Sequence, residues 1–149
     1  MGKIHGERTV DIEAPIQRCF DIAADIQNAP AWQGTLLDVD VLERDGAGRA
    51  AVADTKSDAK VKHVTTRLRF TYEEPGAIHW VQEKGDVKSL HGWWRLEDLG
   101  NDQTRASYGL EVDPGRVLGL LLRGPVEHQV RDFLLGKAAE GLKRTAEEG

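Results

Sequence analysis

Residues 116–148 read RVLGLLLRGPVEHQVRDFLLGKAAEGLKRTAEE, and this stretch decides the fold. It is the one long segment with a clean helical period. Val126, Val130, Phe133, Leu134, Ala138 and Leu142 recur at three- and four-residue steps, which lines them along one face. Glu127, Arg131, Asp132, Glu140, Lys143 and Arg144 fill the other face. Gly124 and Pro125 mark a start, because proline suits the first helical turn. At about 1.5 Å per residue, a helix from Pro125 to Ala146 is a rod of roughly 33 Å. A rod with one apolar face must bury that face, and nearly everything before it reads as strand. The expectation is one sheet curled around this helix.

Working outward, residues 104–112 place Ala106, Tyr108, Leu110 and Val112 on one parity. Residues 87–96 do the same with Leu90, Gly92, Trp94 and Leu96, and residues 77–83 with Ile78 and Trp80. The long strand at 60–73 carries Val64, Thr66, Leu68, Phe70 and Tyr72 on one side and Arg67 and Arg69 on the other. Residues 49–56 are rich in alanine, and residues 35–44 put Leu37, Val39 and Val41 on one face. Short turns such as Asp45-Gly46-Ala47-Gly48, Pro75-Gly76 and Gly100-Asn101-Asp102 join these strands, so they form an antiparallel meander. The chain opens with an alternating strand at 3–13, a short helix from Pro15 to about Asp25, and a helical turn at 28–32. The class is α+β: seven strands, two short helices after the first, and a long helix last. No repeat or linker divides residues 1–149, which read as a single domain.

Two segments carry a family resemblance. Gly85-Asp86-Val87-Lys88-Ser89-Leu90-His91-Gly92-Trp93-Trp94-Arg95-Leu96 follows a pattern of Gly-Asp, an apolar residue, then Gly-x-Trp-x-apolar. Ile12-Glu13-Ala14-Pro15-Ile16-Gln17-Arg18-Cys19-Phe20-Asp21-Ile22 is a strand, an Ala-Pro pair and a helix opening, and Trp32 stands where an aromatic is common. In order and spacing these resemble the START-type (SRPBCC) superfamily, in its bacterial polyketide cyclase/dehydrase and coenzyme-Q-binding branch. The resemblance covers essentially the whole chain. It implies a helix-grip fold with a cavity between sheet and C-terminal helix, suited to an apolar or amphipathic small molecule. It implies no catalytic set, because many members only bind.

The inward parities supply the candidate ligand-binding residues: Trp32, Leu68, Phe70, Tyr72, Trp80, Leu90, Gly92, Trp94, Tyr108 and Leu110, with Leu118, Leu121, Leu122, Val126, Val130 and Leu134 from the C-terminal stretch. Taken from the residues alone these aromatics read first as core packing, and it is the resemblance that turns the reading toward a cavity. Gly92 leaves a gap among large neighbours. The apolar run Val117 to Leu122 could seal the core, open as a lid, or touch a membrane. Arg116 and Arg123 alone give membrane residence weak support.

Chemistry is hard to find. The five histidines lack metal-site spacing, and His63, His79 and His91 fall on the outward parity. No Gly-x-Ser-x-Gly motif appears, and Cys19 reads as a buried small residue. Arg67, Arg69 or His91 would face the cavity only if a bulge reversed the strand parity. No metal or cofactor is expected, and no catalytic residue is assigned. A net charge of −5 over 149 residues argues against nucleic acid as a partner. The absence of a signal-like opening or a spanning apolar run points to the cytoplasm. The expected partner is a hydrophobic small molecule such as a lipid, an isoprenoid quinone or a polyketide, carried or sensed, with at most transient membrane contact. The alternatives are a polyketide aromatase/cyclase, in which Tyr72, Tyr108 or an inward arginine polarises a carbonyl, and a ribosome-associating module.

Overall fold

A computed structural model describes residues 3–148. Strand β1 (Ile4–Ile12) leads into helix α1 (Ile16–Ala24) and a 3-10 turn over Ile26–Ala31. Six strands follow: β2 (Leu36–Arg44), β3 (Ala50–Asp58), β4 (His63–Glu73), β5 (Ala77–Gly85), β6 (Ser89–Gly100) and β7 (Gln103–Asp113). Helix α2 (Gly115–Leu121) and helix α3 (Pro125–Glu148) complete the chain. The sheet order is β1-β7-β6-β5-β4-β3-β2, and every neighbouring pair is antiparallel. The α+β helix-grip architecture expected from the sequence is therefore the observed one.

Alternation explains most of the sheet. Along β4, Val64, Thr66, Leu68 and Phe70 are buried, while Arg67 and Arg69 lie outside. Arg67 makes a two-pronged bond to Asp54 at 2.7 and 3.1 Å, and Arg69 donates to Glu83 at 2.6 Å. His79 and His91 lie on the same outer face, with ring centroids 6.2 Å apart. No parity reversal brings these groups inward.

Two local readings are corrected. In β2 the pairing slips between Leu36 and Asp38, so Leu37 is an extra residue. The slip turns Leu36 inward and leaves Leu37 42% exposed, off the face of Val39 and Val41. In α3 the buried face is Val130, Leu135, Gly136, Ala138, Ala139, Gly141, Leu142 and Ala146. Phe133 is only half-buried and carries Lys60 Nζ 5.4 Å from its ring centroid. The helix turns its small residues toward its neighbours because the backbone comes close there. The Leu135 and Arg131 side chains cover Gly6 of β1, and Gly141 lies against the Trp32 carbonyl.

The sheet parts at one end. Strands β5 and β6 pair only from Ala77↔Arg95 to Val81↔His91. Beyond Val81, β5 continues to pair with β4 as far as Gly85, and β6 with β7 back to Ser89. Val87 fills the fork, and Gln82 Nε2 donates to its carbonyl at 2.9 Å. Gln82 Oε1 is buried there without a hydrogen-bond partner.

Candidate functional site

The concave face of the sheet, the 3-10 turn, α2 and α3 enclose a cavity of about 130 Å³. One wall is aromatic. Trp80 packs against Phe70 and Tyr108 with centroids 6.1 and 5.7 Å apart, and Trp94 against Tyr108 and Trp32 at 4.8 and 6.2 Å. Trp80 holds its place because its cross-strand partner is Gly92, and the indole lies directly over the glycine. The rest of the lining is aliphatic: Leu68, Leu90, Leu110, Leu118, Leu122 and Leu134 among others.

Two polar places interrupt this surface. Gln33 follows the 3-10 turn and reaches the Tyr108 hydroxyl, donating from Nε2 at 3.4 Å. Tyr108 is 5% exposed, and burial pushes its phenol pKa well above the ordinary range, so it stays a neutral donor. Its proton has no acceptor among the described residues and is free for a ligand oxygen. The second place is a hydroxyl cluster on β3 and β4. Thr55 and Thr66 are register partners with hydroxyls 2.8 Å apart, and Thr35 and Ser57 line the same cavity. One hydrogen bond between two hydroxyls leaves one proton over.

Of the residues expected from the sequence, Trp32, Leu68, Phe70, Trp80, Leu90, Trp94, Tyr108, Leu110, Leu118, Leu122 and Leu134 line the cavity. Five lie outside it. Tyr72 is drawn off by the Ala50 carbonyl, to which its hydroxyl donates at 2.6 Å, and its ring carries the Arg49 guanidinium. Gly92 opens no gap, because Trp80 fills it. Leu121 is 48% exposed on the outer side of α2, whereas Leu118 and Leu122, four residues apart, face the cavity. Val126 is half-buried against the core, and Val130 is packed between α3 and its neighbours. Gln33, Thr35, Thr55 and Ser57 join the cavity without being among the expected residues, and Thr66 joins from the expected inward parity of β4. The alternation of Ala53, Thr55 and Ser57 on one parity was a usable signal, whereas Gln33 has none.

Cys19 is fully buried, and burial raises its thiol pKa, so it is no nucleophile. The one titratable side chain lining the cavity among the described residues is Tyr108.

Residues 12–136 match the family model described as polyketide cyclase/dehydrase and lipid transport. The chain belongs to this family. Solved structures of the START superfamily share its fold. A START superfamily protein from Mycobacterium smegmatis superposes with a TM-score of 0.83 at 19% identity, covering 97% of both chains. The Zhui aromatase/cyclase from Streptomyces sp. R1128 gives 0.75 at 19% identity, over 98% of this chain and 94% of that one. A Thermus thermophilus protein gives 0.79 at 20% identity, over 97% and 96%. A search of the curated proteins returns no match. Likeness at such identities is one of fold.

Proposed function

We propose that this chain binds and carries a compact, uncharged, hydrophobic molecule bearing one or two oxygen acceptors. The observation that carries the reading is the lining itself: apolar and aromatic, with neutral hydroxyl and amide groups and no charged side chain among the described residues. A charged ligand would lose its hydration with nothing to replace it. A free volume of about 130 Å³ suits a group the size of a single ring, since an engineered cavity of ~150 Å³ takes benzene. A longer isoprenoid or acyl chain needs α2 to move aside.

A cyclase is the second reading, favoured by the Gln33–Tyr108 pair, which could hold a carbonyl oxygen while pocket shape selects the ring. Proton transfer is its weak point, because a phenol pushed up by burial is a poor base near neutral pH. Native mass spectrometry of the purified protein, followed by incubation with a short poly-β-ketone, separates the two. A co-purified neutral molecule and no turnover are expected. Cyclisation lost in Tyr108→Phe with affinity retained would replace the carrier by the enzyme.

A further inference from the structure

Seven large apolar side chains stand exposed among the described residues, and four of them gather at one end of the molecule. Val117, Leu120 and Leu121 of α2 are 78%, 57% and 48% exposed, and Val61 of the β3–β4 turn is 41% exposed. The three on α2 share a face by their spacing. A groove lined by Lys62, Lys88, Arg116, Val117 and Leu121 joins the turn to the helix. This is also the end where the sheet forks and where Leu118 and Leu122 close the cavity.

The charges around this patch are sorted. Lys60, Lys62, Lys88, Arg116 and Arg123 are all exposed. The three carboxylates in the same loops, Asp58, Asp86 and Asp113, keep their charge, so the excess is two cations (five less three). Asp58 accepts the Lys60 backbone N–H, Asp86 that of Thr65, and Asp113 that of Gly115, at 2.8, 2.8 and 3.1 Å. Lys88 alone of the five has a carboxylate within 4.0 Å, that of Asp113, while Lys60 Nζ stands over the Phe133 ring. An apolar tip ringed by cations thus projects from a chain whose net charge is −5.

We infer that α2 and the β3–β4 turn form a docking surface for a bilayer rich in anionic phospholipid. The apolar tips enter the headgroup boundary, and the lysines and arginines meet the lipid charges. The acidic remainder of the chain is repelled by the same surface, so only this end approaches it. A second copy of the chain is the poorer occupant, since face-to-face pairing would set one net positive patch against another. No helix among the described residues is long and apolar enough to cross a membrane, so the contact is peripheral. Docking here would present the cavity's closing helix to the lipid; the surface itself stands whatever the cavity holds.

The test is vesicle flotation with the full chain. Phosphatidylcholine vesicles are compared with vesicles containing phosphatidylglycerol at about one lipid in three. Binding to the anionic vesicles alone is expected, weakening as salt shortens the Debye length. Val117→Asp/Leu120→Asp and Lys62→Glu/Arg116→Glu should each cut it by about tenfold or more, with unfolding midpoints unchanged. Neither pair lines the cavity, so uptake of a neutral apolar dye without vesicles should persist in both. Absence of vesicle binding, equal binding to neutral vesicles, or full binding by either folded variant overturns the inference. So does concentration-dependent self-association abolished by Leu120→Asp without vesicle binding. Loss of dye uptake with vesicle binding intact would instead refute the cavity reading and leave the surface standing.

Discussion

Tyr72 and Tyr108 are the same residue on the same inward parity, yet their partners give them different work. The Tyr72 hydroxyl donates to a backbone carbonyl, whereas the Tyr108 hydroxyl accepts a long bond from Gln33 and keeps its own proton free. Tyr72→Phe should therefore cost stability, about 1–3 kcal/mol for a buried carbonyl left unpaired, with ligand affinity unchanged. Tyr108→Phe should do the reverse, lowering affinity for an oxygen-bearing neutral ligand about two- to tenfold with little change in the urea midpoint. Burial raises both phenol pKa values, more than the neighbouring charges do for Tyr72. The folded state then holds its protons where the unfolded chain, titrating near pH ~10, gives them up. This contribution is complete below that pH and is lost as pH rises above it. Urea unfolding at a series of alkaline pH values should show a steep fall that Tyr72→Phe makes shallower; an unchanged slope would mean the phenol is not protected.

Among the elements, α3 rests on what it lacks. Gly141 faces the Trp32 carbonyl so closely that a Cβ would fall within van der Waals contact of the backbone oxygen. Alanine favours a helix over glycine by about 1 kcal/mol. A clash with backbone cannot rotate away, however, and overpacking costs roughly 1–3 kcal/mol. Gly141→Ala is thus expected to destabilise despite its better propensity, and a raised thermal midpoint would show that the loop yields. This contact also explains what the sequence could and could not reveal. Strands β4 to β7 were legible because each alternates large apolar with polar residues. The rotation of α3 was hidden, because a reading that follows large side chains picks Phe133 and passes over Gly136 and Gly141. The slip at Leu37 was invisible for a similar reason: the extra residue is itself apolar. The cations at this end come from two loops and the α2 segment, far apart in the chain, so Arg116 and Arg123 stand isolated in the sequence.

For the whole molecule, sheet, 3-10 turn and C-terminal helices cooperate to make a small neutral interior and a sorted exterior. Selectivity should follow charge before shape. A neutral ring-sized ligand and its carboxylated analogue should differ in affinity by a factor of ten or more, because the carboxylate finds no cation among the lining residues. Equal affinities by calorimetry would place the binding site elsewhere. The two tryptophan-over-glycine pairs in the sheet have a further consequence. Trp80 covers Gly92 on the inner face, and Trp93 covers Gly109 on the outer face, where its indole donates to Glu7 at 2.6 Å. Trp32, Trp80 and Trp94 therefore surround the ligand space, while the fourth indole is optically outside it. The ultraviolet emission of this protein should therefore divide into two signals: one from three chromophores that a bound guest quenches or shifts, and one from a chromophore that answers to titration of Glu7.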